Sequence, residues 1–140
     1  MRTWLTVAAL IVTGTLWYLR DPAWLAEQTT GMRGWQTSAD GRRYRWTGGH
    51  ASLFVPSDAR AVVIPVATTF ERGDSEPMVV TFAIDGRPAA RLLLTTSEWQ
   101  RVTLSLPPQG SRKVRRLDVH TTPTREGNHG VQLGEVQLSR

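Results

Sequence analysis

Positions 43–46 alternate two arginines with two aromatics, Arg43-Tyr44-Arg45-Trp46. In an extended strand the two-residue period puts Tyr44 and Trp46 on one face and Arg43 and Arg45 on the other. An aromatic face can stack on a sugar ring, and nearby guanidinium groups can bond hydroxyls or phosphates. Trp99, which opens a later strand pattern, is the third aromatic candidate and Arg116 the remaining polar one. The same residues also have a structural reading, in which the aromatics are core and the arginines solvated. That reading is favoured for Trp46, and for Trp35 and Trp99 at their strand starts; Tyr44 is balanced between the two.

The densest charge cluster is Arg112, Lys113, Arg115 and Arg116, after the turn Pro107-Pro108-Gln109-Gly110. It suits lipid phosphates or an acidic glycan, each contact near an anionic surface contributing about 1 kcal/mol. The favoured reading is a solvated strand edge whose charges block edge-to-edge association. His120, His129, Asp118 and Glu126 surround the stretch 120–130, but two histidines nine apart match no established metal-ligand spacing. Glu135 alone is a weak case for calcium. No metal and no cofactor is expected. With no GxSxG, no P-loop and no cysteine, the chain offers no motif for nucleophilic catalysis, and it is read as a non-enzyme.

These residues must be positioned by strands. Asp40-Gly41 and Asp85-Gly86 sit between alternating runs and predict tight hairpins. Val80, Phe82 and Ile84 alternate with Thr81, Ala83 and Asp85; Val102, Leu104 and Leu106 alternate with Arg101, Thr103 and Ser105. Pro65 interrupts the apolar run Val62-Val63-Ile64-Pro65-Val66 and removes one ladder donor, which points to an edge or a bulge. Val131 and Leu133 lie in one phase, Val136 and Leu138 in the other, so a β-bulge is predicted at Gly134-Glu135. Eight or nine short strands without an amphipathic helix between them predict an all-β fold, an antiparallel β-sandwich or jelly roll.

Residues 3–19 carry no charge and are flanked by Arg2 and Arg20, with Trp4, Trp17 and Tyr18 near the ends. As a helix the run covers roughly 25 Å at about 1.5 Å per residue. That is short but admissible for a bilayer core of about 30 Å. A retained transmembrane anchor is expected in preference to a cleaved signal peptide. The division is then an anchor at 1–20, a linker at 21–34 and a β-sandwich domain at 35–140. The layout resembles an export signal, so a single-pass membrane protein with a periplasmic β domain is expected. Arginine supplies 16 of the 17 basic residues, and without Arg2 and Arg20 the balance is 15 basic against 12 acidic. That bias is too diffuse for nucleic-acid binding.

Three stretches carry a resemblance: Arg45-Trp46-Thr47; Trp99-Gln100-Arg101-Val102-Thr103-Leu104; and Val131-Gln132-Leu133-Gly134-Glu135-Val136-Gln137-Leu138. From Trp35 onward the chain resembles bacterial galactose-binding-like domains of the carbohydrate-binding-module type, some of which occur beside membrane glycosyltransferases. The resemblance implies a non-catalytic accessory module at the membrane that binds a saccharide or a lipid-linked glycan. Tyr44, Trp46, Trp99, Arg43, Arg45 and Arg116 are its expected contacts. The alternative is an assembly subunit that docks onto a polytopic membrane partner such as a glycosyltransferase.

Overall fold

The computed structural model describes residues 2–68, 76–108, 112–122 and 130–140. Glu126 and His129, weighed above as metal ligands, lie outside the described residues, as does most of the loop they belong to.

A helix, α1, runs from Arg2–Arg20 and is followed by a short 3-10 helix at Ala23–Glu27. Ten strands come next: β1 Thr29–Met32, β2 Gln36–Thr37, β3 Arg43–Pro56, β4 Ala61–Ala67 and β5 Met78–Ile84. The remaining five are β6 Arg87–Leu94, β7 Gln100–Ser105, β8 Val114–Thr121, β9 Gln132–Gly134 and β10 Gln137–Ser139. All pairings among the described residues are antiparallel, and they connect into one sheet that folds into a near-barrel. The mostly-β expectation holds.

The strand β3 ties the two halves together. Its first part pairs with β2 and β9, and its second part with β8 and β1. Sequence alternation reads residues 43–47 and 51–55 as separate strands because Gly48-Gly49 breaks the pattern. In the fold the backbone stays extended through those glycines and crosses from one half to the other. The first half therefore contains β2, the start of β3, β9, β10, β4 and β7; the second contains β1, the end of β3, β8, β5 and β6. Between them lies the core, with Val62, Ile64, Val66, Leu104 and Leu133 from the first half. Val55, Phe82, Val80, Leu94, Leu117 and Val119 come from the second.

The hairpin at Asp85-Gly86 forms as the sequence predicts, both residues having positive φ (51° and 78°), and it joins β5 to β6. The predicted bulge also forms. Leu133 pairs with Val66 and Gln137 with Val63, so the last strand's register against β4 steps by one residue between β9 and β10. Pro65 lies opposite this step, where its missing N–H leaves no ladder donor unpaired. It does so inside the sheet, since β4 has β7 on its other side.

The membrane expectation is overturned. The helix α1 has the predicted place, but among the described residues no helix is long and apolar enough to cross a membrane. Its continuous aliphatic stretch covers only 7–12, while Thr3, Thr6, Thr13 and Thr15, Gly14, Trp4, Trp17 and Tyr18 dilute the rest. A single-pass membrane location is therefore not supported. From Thr3 to Arg20 the helix is solvent-exposed, and it is joined to the sheet at its end. There Asp21, 8% exposed, accepts a hydrogen bond from Arg112 Nε at 3.0 Å and another from the Lys113 backbone N–H at 3.2 Å. The Lys113 ammonium lies 5.4 Å from the Trp17 ring. The segment 21–34, expected to link helix and sheet, contains the 3-10 helix and β1.

Candidate functional site

Directly paired residues of an antiparallel ladder project to the same face. Arg45 pairs with Leu133, a core residue, whereas Tyr44 pairs with Gly134 and Trp46 with Gln132. Tyr44 and Trp46 therefore lie on the outer face of the first half, and neither is in the core cluster. Both are half-buried, which corrects the core reading of Trp46. Pro65 pairs with Arg101, two residues after Trp99, so Arg101 and the lead-in to β7 share that outer face.

The middle of the face has almost no side-chain height. Gly134 lies against Pro65, and a Cβ on the glycine would fall 2.9 Å from Pro65 Cβ. Over this low floor Tyr44 and Trp99 meet edge to face with centroids 6.3 Å apart, and Tyr44 meets Trp46 the same way at 6.4 Å. The result is a trough of about 460 Å³ bordered by Arg42, Arg43, Pro65, Trp99, Arg101 and Gly134, with Glu135 and Gln137 at its edge. The bulge creates it: the register step puts a glycine beside the proline and turns Glu135 outward.

The turn before β3 holds the trough's rim. Asp40 accepts hydrogen bonds from the Ser38 hydroxyl and the Arg42 backbone N–H, and these lower its pKa from the ordinary carboxylate value. The Arg42 guanidinium then lies 5.0 Å from the centre of the Trp99 ring. Arg43 Nη1 donates to Glu135 Oε1 at 2.9 Å. That ion pair forms a ridge between the trough and a second hollow.

The second hollow, about 530 Å³, is mainly apolar and bordered by Met32, Trp35, Arg45, Leu53, Phe54 and Val136 among others. Trp35 is 41% exposed, so its expected core position is also corrected. Arg43 and Arg45 lie 4.9 and 4.2 Å from its ring centre. Arg45 Nη1 donates to Thr29 Oγ1 at 3.0 Å, and its Nε has no hydrogen-bond partner among the described residues. Burial, then the neighbouring Arg43 charge, lowers the Arg45 pKa.

The six sequence-derived candidates thus separate. Tyr44, Trp46 and Trp99 come together, Arg43 stands on the ridge beside them, and Arg45 points the other way under Trp35. Arg116 lies on β8 in the second half, donating from Nε to Asp118 Oδ2 at 2.9 Å. The basic cluster around it is engaged internally. Arg112 pairs with Asp21, and buried Arg115 pairs with Asp85 at 3.2 Å and donates to the Pro108 carbonyl.

His120 and Asp118, which the sequence groups with His129 and Glu126, instead join His50 and Ser52, two residues the sequence did not point to, on the second half's outer face. His50 pairs with His120 and Ser52 with Asp118 across β3 and β8. The imidazoles stack at 4.1 Å, and Ser52 Oγ donates to Asp118 Oδ1 at 2.6 Å. Burial raises the Asp118 pKa, but the Ser52 bond, the Arg116 charge and the His50 and Arg116 bonds outweigh it and hold it below 3.8. A proton relay needs the imidazole between hydroxyl and carboxylate, one ring nitrogen to each. Here His50 Nε2 stands 3.4 Å from both Ser52 Oγ and Asp118 Oδ1, and the serine bonds the aspartate directly. The cluster braces two strands. Among the described residues no group of three or more His, Cys, Asp or Glu is placed to hold a metal.

No protein-family model matches the chain, and no curated protein matches it. Solved structures do. A family two carbohydrate esterase from Clostridium thermocellum, in complex with cellohexaose, is similar at 12% identity and a TM-score of 0.52, covering 80% of this chain and 31% of that one. A family two carbohydrate esterase from Cellvibrio japonicus gives 14% identity and a TM-score of 0.51, over 80% of this chain and 31% of that one. The M60 catalytic domain of Clostridium perfringens ZmpB with its CBM51-1 and CBM51-2 domains gives 12% and 0.51, over 81% and 14%. The likeness is one of fold. This chain spans a third or less of each of these proteins.

Proposed function

We propose that the protein is a non-catalytic carbohydrate-binding module of β-sandwich, jelly-roll type, and that the trough on its outer face is the saccharide site. The observation that carries this reading is the low Gly134–Pro65 floor with the Trp99 ring as one wall and arginines at its rim. A pyranose is flat, apolar on its C–H face and ringed by hydroxyls. It suits a shallow cleft with one aromatic wall and convergent polar donors. The fold shared with two carbohydrate esterases and a structure containing CBM51 domains supports the assignment at the level of architecture. A sugar taking the indole face displaces the Arg42 guanidinium, which then remains at the rim as a donor.

The test is a glycan array probed with the full chain and with the Trp99→Ala and Trp35→Ala variants. Binding is expected to be lost in Trp99→Ala and kept in Trp35→Ala. A folded wild-type chain that binds no glycan on the array overturns the reading.

A second reading has its own observation. Leu5, Leu10, Ile11, Leu16 and Leu19 of α1 are each more than 60% exposed, an apolar surface of the kind that partner proteins cover. In that reading the chain is an assembly subunit whose helix packs on an apolar partner, such as a helix of a glycosyltransferase. Co-purification that depends on α1 but survives Trp99→Ala would favour it over glycan binding.

A further inference from the structure

The trough carries a charge imbalance that a neutral sugar leaves unanswered. Three guanidinium groups, Arg42, Arg43 and Arg101, line it against one carboxylate, Glu135. Arg43 already holds that carboxylate at 2.9 Å. Among the described residues the Arg42 guanidinium, which lies over Trp99, has one carboxylate partner, the distant Asp40 at 3.9 Å on the turn outside. Arg101 stands on β7 opposite Pro65, exposed, and among the described residues no side-chain hydrogen bond or ion pair engages it. Two cationic forks therefore border the trough, and among the described residues neither is closed by a carboxylate at hydrogen-bond distance.

We propose that the trough selects acidic saccharides: a uronate whose carboxylate is held by Arg101 and Arg42 over the Gly134–Pro65 floor, with its ring against Trp99. The inference rests on the trough being the saccharide site and names the class of sugar it takes. The planar guanidinium fork matches a carboxylate in two parallel hydrogen bonds, and such charge-assisted bonds are roughly twice as strong as neutral ones. The absence of lysine near the site fits this recognition by fixed geometry, since a lysine would offer only a point charge. Glu135, clamped by Arg43, lines the far edge and repels a carboxylate placed there. The anion is thereby directed toward the Arg101 side.

The experiment is calorimetric titration of the full chain with tetrasaccharides of galacturonate, glucuronate and mannuronate, each beside its methyl ester. At least one acid is expected to bind ten-fold or more tighter than its ester, with the advantage shrinking as salt rises. Arg101→Gln is expected to reduce that preference below three-fold. Arg87→Gln, which removes the same charge from β6, is expected to keep it. Equal binding of acid and ester, or a preference that survives Arg101→Gln, overturns the inference. If neutral glycans bind on the array and no acid is preferred, the inference falls and the saccharide function stands. If a folded chain binds no glycan at all, both fall.

Discussion

Trp99 is asked to do the most at the scale of single residues. Its ring is half-buried by Tyr44 on one edge and covered by Arg42, so its position is set before a ligand arrives. Truncating a hot-spot residue, a class enriched in tryptophan, costs about 2 kcal/mol or more of binding. Trp99→Ala is accordingly expected to weaken saccharide binding at least ten-fold in a chain that still melts cooperatively, measured by titration calorimetry and thermal denaturation. Asp118 makes a different demand. It is 3% exposed and supports Ser52, His50 and Arg116, so Asp118→Ala leaves the buried Ser52 hydroxyl without its acceptor, at a cost of about 1–3 kcal/mol. Its folded pKa lies below the ordinary 3.8. Its charged form therefore contributes stability that is complete above that value and is lost as pH falls from 3.8 through the lower folded pKa. Acid titration of the melting temperature should show a steeper drop below pH 4 in wild type than in Asp118→Asn, and equal slopes would contradict this.

At the scale of elements, the last strand is the decisive one. Its apolar phase changes between Leu133 and Val136, and that change is legible in the sequence because a pleated strand cannot reverse faces without an extra residue. Pro65 was legible as a residue that cannot donate. That these two irregularities meet was not legible, since it depends on which strand lies beside which. Their meeting makes the trough. Gly134→Ala would press a methyl group to 2.9 Å from Pro65 Cβ, and overpacking of this kind costs about 1–3 kcal/mol. The variant should melt lower and also lose saccharide affinity; unchanged affinity would remove the floor from the account. The same limit explains the other differences. The alternation at 43–46 correctly separates Tyr44 and Trp46 from Arg43 and Arg45. It does not say which face meets the core, and Leu133 beside Arg45 decides that. The pairings of Ser52 with Asp118 and of His50 with His120 were hidden because 66 or more residues separate the partners.

For the whole molecule, the exposed helix and the β-fold are joined through Asp21, Arg112 and Lys113, far along the chain from one another but adjacent in space. Composition alone reads the first twenty residues as a span, because Trp, Tyr and Thr count as uncharged; the helix they form is too dilute in aliphatic residues to cross a bilayer. Its junction is nonetheless specific. Arg112→Ala removes both the bond to Asp21 and the donation to the Arg20 carbonyl. It should speed proteolysis of α1 without altering glycan affinity, since the trough is built on other strands. A matching loss of affinity would mean the helix and the site are coupled. The net positive charge of the β domain, carried almost wholly by arginine, gains a local meaning at the trough, where three guanidinium groups converge.

The most direct test of the central claim is to map, by backbone and indole ¹H–¹⁵N chemical shifts of the full chain, where a glycan selected from the array binds. Saturable shifts are expected to concentrate on the Trp99 indole, Gly134, Glu135 and Arg101, with Trp35 and the His50–Asp118 cluster unmoved. Shifts centred on Trp35 and Arg45, or on the outer face of β3 and β8, would contradict it.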